Sequence, residues 1–208
     1  MMDFSHYPNF PSIPSTDEED HMLGKRYAKR RDMQEIIPGL FLGPYAVAKK
    51  DQLQYLQGNG ITHIVCVRCP MEAKIIKPNF PDQVKYLVIE IADKNSQNII
   101  QYFQQVKHFI DECLCMQGKV LVHGSVGFSR SPSLVIGYLM ESFKIPFLDA
   151  LRYVCERRPC CSPNLGFQRQ LEEYEHIIMA KEEVSEHQRE NLYSQQMVVG
   201  LKRKFADV

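Results

Sequence analysis

The chain has 208 residues, 44% of them hydrophobic, and its 25 basic residues are balanced by 25 acidic ones. That is enough apolar material for one core in a domain of about 150 residues with polar ends. The zero net charge excludes a global field that would draw the chain to nucleic acid or an anionic membrane, so any anion binding must be local.

Residues 1–32 carry Pro8, Pro11 and Pro14, an acidic run at 17–20, and the basic group Lys25, Arg26, Lys29, Arg30 and Arg31. No apolar period runs through them, and they read as a mobile leader. The opening lacks the basic-then-apolar pattern of a secretion signal, and the seven cysteines are an odd number. A reduced intracellular setting is expected, the cytoplasm with the nucleus, to which the basic group could direct the chain. No apolar run reaches the roughly 18 residues needed to span a bilayer.

Two short apolar stretches split by Pro38-Gly39 open the structured part, and a helix is expected over 46–57 with Leu53 and Leu56 inward. Strands are expected at 61–67 and 86–91, joined by an irregular loop containing Pro70, Pro78 and Pro81. Ile99, Phe103, Val106, Ile110 and Cys113 then fall on one face of an amphipathic helix. Val120, Leu121 and Val122 read as a buried strand, and 132–143 as a helix apolar almost all round, with Gly137 permitting a close neighbour. Pro146 precedes a short helix through Phe147, Ala150, Leu151 and Val154. Ser162 is read as the cap of a last helix, with Pro163 at its first position and Phe167, Leu171, Tyr174 and Ile178 inward. Strands separated by helices predict an α/β domain: a central, mainly parallel twisted sheet flanked by helices, over 33–181. Residues 182–208 read as a polar, disordered tail.

The chemistry concentrates in 120–131. A strand, a tight glycine-containing loop and a helix start follow one another, so backbone N–H groups and the positive end of the helix converge on one point. Arg130 can add a bidentate fork suited to phosphate. Cys66-x-x-Cys69 lacks a second pair at metal spacing and reads as ordinary thiols, as do Cys160 and Cys161; no metal or other cofactor is expected.

His123, Gly127, Arg130 and Ser131 match, in register, the His-Cys-x-x-Gly-x-x-Arg-Ser/Thr motif of the cysteine-dependent protein phosphatases. At the nucleophile's position the sequence has Gly124. The stretches 36–43 and 60–67, the triplet Ile91-Ala92-Asp93, and Asn164-Leu165-Gly166-Phe167 with Gln170-Leu171 further resemble the dual-specificity branch of that family. The glycine is similar to that of a catalytically inactive member, a pseudophosphatase.

The resemblance implies a phosphate-binding loop of Gly124, Ser125, Val126, Gly127, Phe128, Ser129 and Arg130, in which the backbone N–H groups and the Arg130 side chain hold the anion. It implies loop support from His123, Ser131 and Asn164, and a retained general acid in Asp93, 31 positions before Gly124. Glycine cannot form a thiolate or a phosphoenzyme, so phosphate recognition without hydrolysis is expected. The implied partners are phosphorylated proteins, mitogen-activated protein kinases in particular. The alternatives are a scaffold that binds through its outer surface, for instance an F-box adaptor of a ubiquitin ligase, and a weak phosphatase that uses Ser125 or water.

Overall fold

The computed structural model describes residues 30–206. The expected leader lies outside the described residues apart from its last three positions, and so do the side chains of the basic triplet Lys202, Arg203 and Lys204. Five strands run in chain order as β1 (Gln34–Ile37), β2 (Leu40–Pro44), β3 (Ile61–Arg68), β4 (Lys85–Glu90) and β5 (Lys119–Gly124). The helices are α1 (Leu53–Gly58), α2 (Ile100–Cys115), α3 (Arg130–Phe143), α4 (Phe147–Arg157) and α5 (Leu165–Ala206).

The strands form one sheet in the order β1-β2-β5-β3-β4, antiparallel only between β1 and β2 and parallel elsewhere. This is the mixed, mainly parallel α/β architecture that the alternation of apolar strands and amphipathic helices predicts. β5 is central, and its side chains alternate between two cores. Val120 and Val122 pack into the larger core under α2, α3, α4 and α5, while Leu121 enters the smaller one with Phe41, Leu56, Ile64 and Phe80. A central strand covered on both faces delivers its C-terminal loop to one fixed place. The loop 124–130 follows β5 directly.

Helix α3 is buried from Arg130 to Met140, as its unbroken apolar sequence requires. A β-carbon at Gly137 would stand 2.8 Å from Phe103, so the bare glycine is what lets α2 lie against α3. The predicted inner face of α2 is buried at Phe103, Val106, Ile110 and Cys113, with Ile99 just before the helix.

Three expectations differ from the structure. The helix expected over 46–57 is split into 3-10 turns at Tyr45–Ala48 and Lys50–Gln52 followed by α1, because Lys49 is extended and interrupts the winding. The last helix is capped by Asn164 rather than Ser162: the Asn164 Oδ1 accepts the Phe167 N–H at 2.9 Å, and Ser162 spends its N–H on the Phe128 carbonyl. Beyond residue 181, where an irregular tail was expected, helix continues to Ala206. That stretch holds four Glu, three Gln, two Lys and two Arg and no proline, a composition that lets a helix propagate once the packed part has started it. No helix among the described residues is long and apolar enough to cross a membrane, and no His, Cys, Asp and Glu group there could hold a metal ion.

Candidate anion-binding site

The loop from Gly124 to Arg130 is held by its carbonyls. Tyr45 N–H donates to the Ser125 oxygen at 3.2 Å, and Ser162 N–H to the Phe128 oxygen at 2.6 Å. The buried Arg158 guanidinium donates from Nη2 to the Val126 oxygen at 3.1 Å and from Nε to the Gly127 oxygen at 2.9 Å. A trans peptide is planar, with its carbonyl and the next N–H pointing opposite ways. Drawing the carbonyls of 125–128 outward therefore aims the N–H groups of 126–129 inward, toward the start of α3. Gly127 makes the turn possible: its φ is +70°, and a β-carbon there would meet the Gly43 oxygen at 2.5 Å and Arg158 Nη2 at 2.9 Å.

Gly124 lies buried at the root of this loop. A β-carbon built on it would have Ser131 Oγ at 3.2 Å, Ser131 Cβ at 3.7 Å and the Val67 oxygen at 3.7 Å, so there is room for one with a small adjustment of a hydroxyl. The Ser131 hydroxyl is fully buried and has no hydrogen-bond partner. It points to the place that Gly124 leaves unfilled. His123 is also fully buried, with its ring 5.7 Å from that of Tyr45, and burial pushes its imidazolium down to about 4. It is neutral and structural.

Asp93 lies against the loop at Ser129. Its Oδ1 accepts from Ser129 Oγ at 2.7 Å and from Asn164 Nδ2 at 2.8 Å, and the Asn164 N–H donates to Ser129 Oγ at 3.2 Å. Loop, acid and the start of α5 thus share one small network. The Asp93 Oδ2 stands 4.0 Å from Arg130 Nε.

Arg130 is buried at the start of α3, and its terminal nitrogens are already engaged. Nη1 donates to Glu72 Oε2 at 2.5 Å and to the Ile91 oxygen at 3.3 Å, while Nη2 donates to Glu72 Oε1 at 3.0 Å. Hydrogen bonding from Arg130, opposed by burial and helped by the Cys69 N–H, holds the Glu72 carboxyl down at about 2. The fork expected to face phosphate on both branches is gripped along its outer edge by a carboxylate.

Sequence reasoning missed Glu72 and Arg158. Glu72 does carry a local signal, because Pro70 at the first position and Glu72 at the third make a capping box that returns its carboxylate to the Cys69 N–H at 2.7 Å. The reach from there to Arg130 has no sequence trace. Arg158 has no local signal at all.

Comparison with known proteins agrees with this geometry. Residues 40–177 match the family described as dual specificity phosphatase, catalytic domain. The human serine/threonine/tyrosine-interacting protein is 54% identical over 172 residues, covering 83% of this chain and 76% of that protein. An Arabidopsis thaliana dual specificity protein phosphatase 1B is 36% identical over 148 residues, 71% of this chain and 84% of the relative. The crystal structure of a human tyrosine phosphatase-like serine/threonine/tyrosine-interacting protein superposes with a TM-score of 0.71 at 56% identity, over 72% of this chain and 99% of that one. The chain belongs to the dual specificity phosphatase family, with glycine at the root of its anion loop.

Proposed function

We propose that this chain is a pseudophosphatase: it binds phosphorylated serine, threonine or tyrosine in other proteins and does not hydrolyse the ester. The observation that carries this reading is Gly124, a residue with no nucleophile, at the root of a loop whose amides remain aimed inward. Asp93 can offer a proton, but a general acid without a nucleophile completes no turnover. Charge-assisted bonds from inward N–H groups and Arg130 are worth about 1.5 to 3 kcal/mol each before desolvation, enough in combination for micromolar affinity, about −8 kcal/mol. Such binding shields a phosphoresidue from active phosphatases.

Exposed apolar residues beside the site favour a protein-borne phosphate over a small polar ester. Met71 is next to Glu72, Val126 lies in the loop, and Leu165 follows Asn164; these three are 92%, 52% and 65% exposed. Phosphorylated mitogen-activated protein kinases, in cytoplasm and nucleus, are the partners that the family resemblance suggests. Titration of phosphopeptides against the full chain and its Arg130→Ala variant tests the reading. A loss of at least tenfold in affinity is expected, about the worth of one charge-assisted bond.

One observation favours a second reading. Glu72 already neutralises the Arg130 fork, which suits a scaffold that binds through its outer surface, for instance to an F-box adaptor. Under that reading Arg130→Ala leaves partner affinity unchanged.

A further inference from the structure

Arg158 is fully buried, at the end of α4, where its own N–H donates to the Val154 oxygen at 2.8 Å and its carbonyl accepts the Cys161 N–H at 2.9 Å. Its backbone is therefore fixed, and its planar guanidinium reaches two parts of the chain at once. One edge takes the Val126 and Gly127 carbonyls of the loop. The other takes the Asp32 oxygen at 3.0 Å, the Arg30 oxygen at 3.4 Å and the Gln34 side-chain oxygen. A buried cation is costly to desolvate, and burial lowers the Arg158 pKa from the ordinary arginine value. Its geometry supplies what the cost secures: two of the carbonyl ties that turn the loop amides inward.

We propose that Arg158 is the positioning residue of the anion loop, and that through it the segment 30–34 is coupled to anion affinity. The inference rests on the phosphate-binding reading above. Arg158 does not touch the ligand position, since its guanidinium lies on the carbonyl side of the peptides whose N–H groups face inward. It acts by fixing the planes of the 126–127 and 127–128 peptides. Only a rigid fork does this; a lysine keeps the charge but offers a single nitrogen, which cannot hold two loop carbonyls and the acceptors of 30–34 together. Displacement of segment 30–34 would release one edge of the fork and let those peptide planes rotate.

The test uses the full-length chain labelled with nitrogen-15, titrated with inorganic phosphate and with a phosphotyrosine peptide, with melting temperature measured in parallel. Arg158→Lys is expected to weaken both ligands by about tenfold and to move the Gly127 and Phe128 amide resonances even without ligand. Gln34→Ala, which leaves Arg158 in place and lies across the fork from the loop, is expected to weaken both by about threefold with the same amides shifted. It serves as the readout should Arg158→Lys fail to fold. Wild-type affinity and unshifted amides in both variants would overturn the proposal. A wild-type chain that binds no phosphate would instead overturn the phosphate reading, while the ligand-free amide shifts still decide whether Arg158 sets the loop.

Discussion

Glu72 grips both terminal nitrogens of Arg130, at 2.5 and 3.0 Å, from a single 3-10 turn that lies 58 residues earlier in the chain. The carboxylate is itself fixed by the Cys69 N–H, so the arginine is clamped by a group that cannot swing away freely. The clamp occupies both terminal nitrogens, while Asp93 Oδ2 stands 4.0 Å from Nε.

Glu72→Gln leaves a buried guanidinium with a weaker partner and is expected to cost about 1 to 3 kcal/mol of stability at neutral pH. The folded-state carboxyl, held at about 2, lies below its ordinary value of 4.5, so the contribution is complete above 4.5 and is lost as pH falls toward 2. Denaturant titrations at pH 7 and pH 2.5 check this. The two proteins should differ clearly at the first and converge at the second.

Asp93→Asn is expected to tighten phosphate-ester binding by about tenfold. The amide oxygen can keep the hydrogen bonds from Ser129 and Asn164, while a negative charge beside the incoming dianion is removed. Two like charges about 5 Å apart in a solvated mouth repel by roughly 1 to 2 kcal/mol when one is a dianion. Calorimetric titration with a phosphotyrosine peptide measures it, and weaker binding would mean that the aspartate holds the ligand rather than repelling it.

Gly124→Cys should fold without loss of stability, because the added β-carbon meets only a rotatable hydroxyl at 3.2 Å and gives the orphaned Ser131 Oγ a partner. Hydrolysis of an aryl phosphate is expected to rise from background to measurable turnover, and to fall again when Asp93→Asn is added. A folded but silent Gly124→Cys would show that more than the thiol is missing from the site.

His123 governs a second acid transition. Its folded-state value of about 4 lies below the ordinary 6.5, so its neutral form stabilises the fold fully above 6.5, and that stabilisation is lost as pH falls toward 4. The full effect is about 3 kcal/mol. In His123→Phe, which has no proton to take up, stability measured between pH 6.5 and 4 should fall less steeply.

The sheet, the central strand and the buried helix α3 were legible because each rests on a local apolar period, which Val120 to Val122 and Leu134 to Met140 show without interruption. The loop was legible in its strand, glycine turn and helix start, and Asp93 only through the family resemblance. Glu72 and Arg158 were not, since each acts on a residue 58 or about 31 positions away and only the closed fold brings them together. Even the capping box at Cys69 accounts for one bond to the Glu72 carboxylate and is silent about the two from Arg130. The missed cap at Asn164 has a different cause: Ser162 and Asn164 are both good caps by type, and the helix starts at Leu165, which puts the Asn164 side chain at the capping position.

The cradle is written in main chain, and the only residue between it and a nucleophile is Gly124. Grip and reaction are therefore separable in one direction at small expense: a single codon removes or restores the sulfur, whereas dismantling the amide cradle means undoing the ties from Tyr45, Arg158 and Ser162 together. On the pseudophosphatase reading, supplying a nucleophile takes one substitution, whereas losing the cradle takes several.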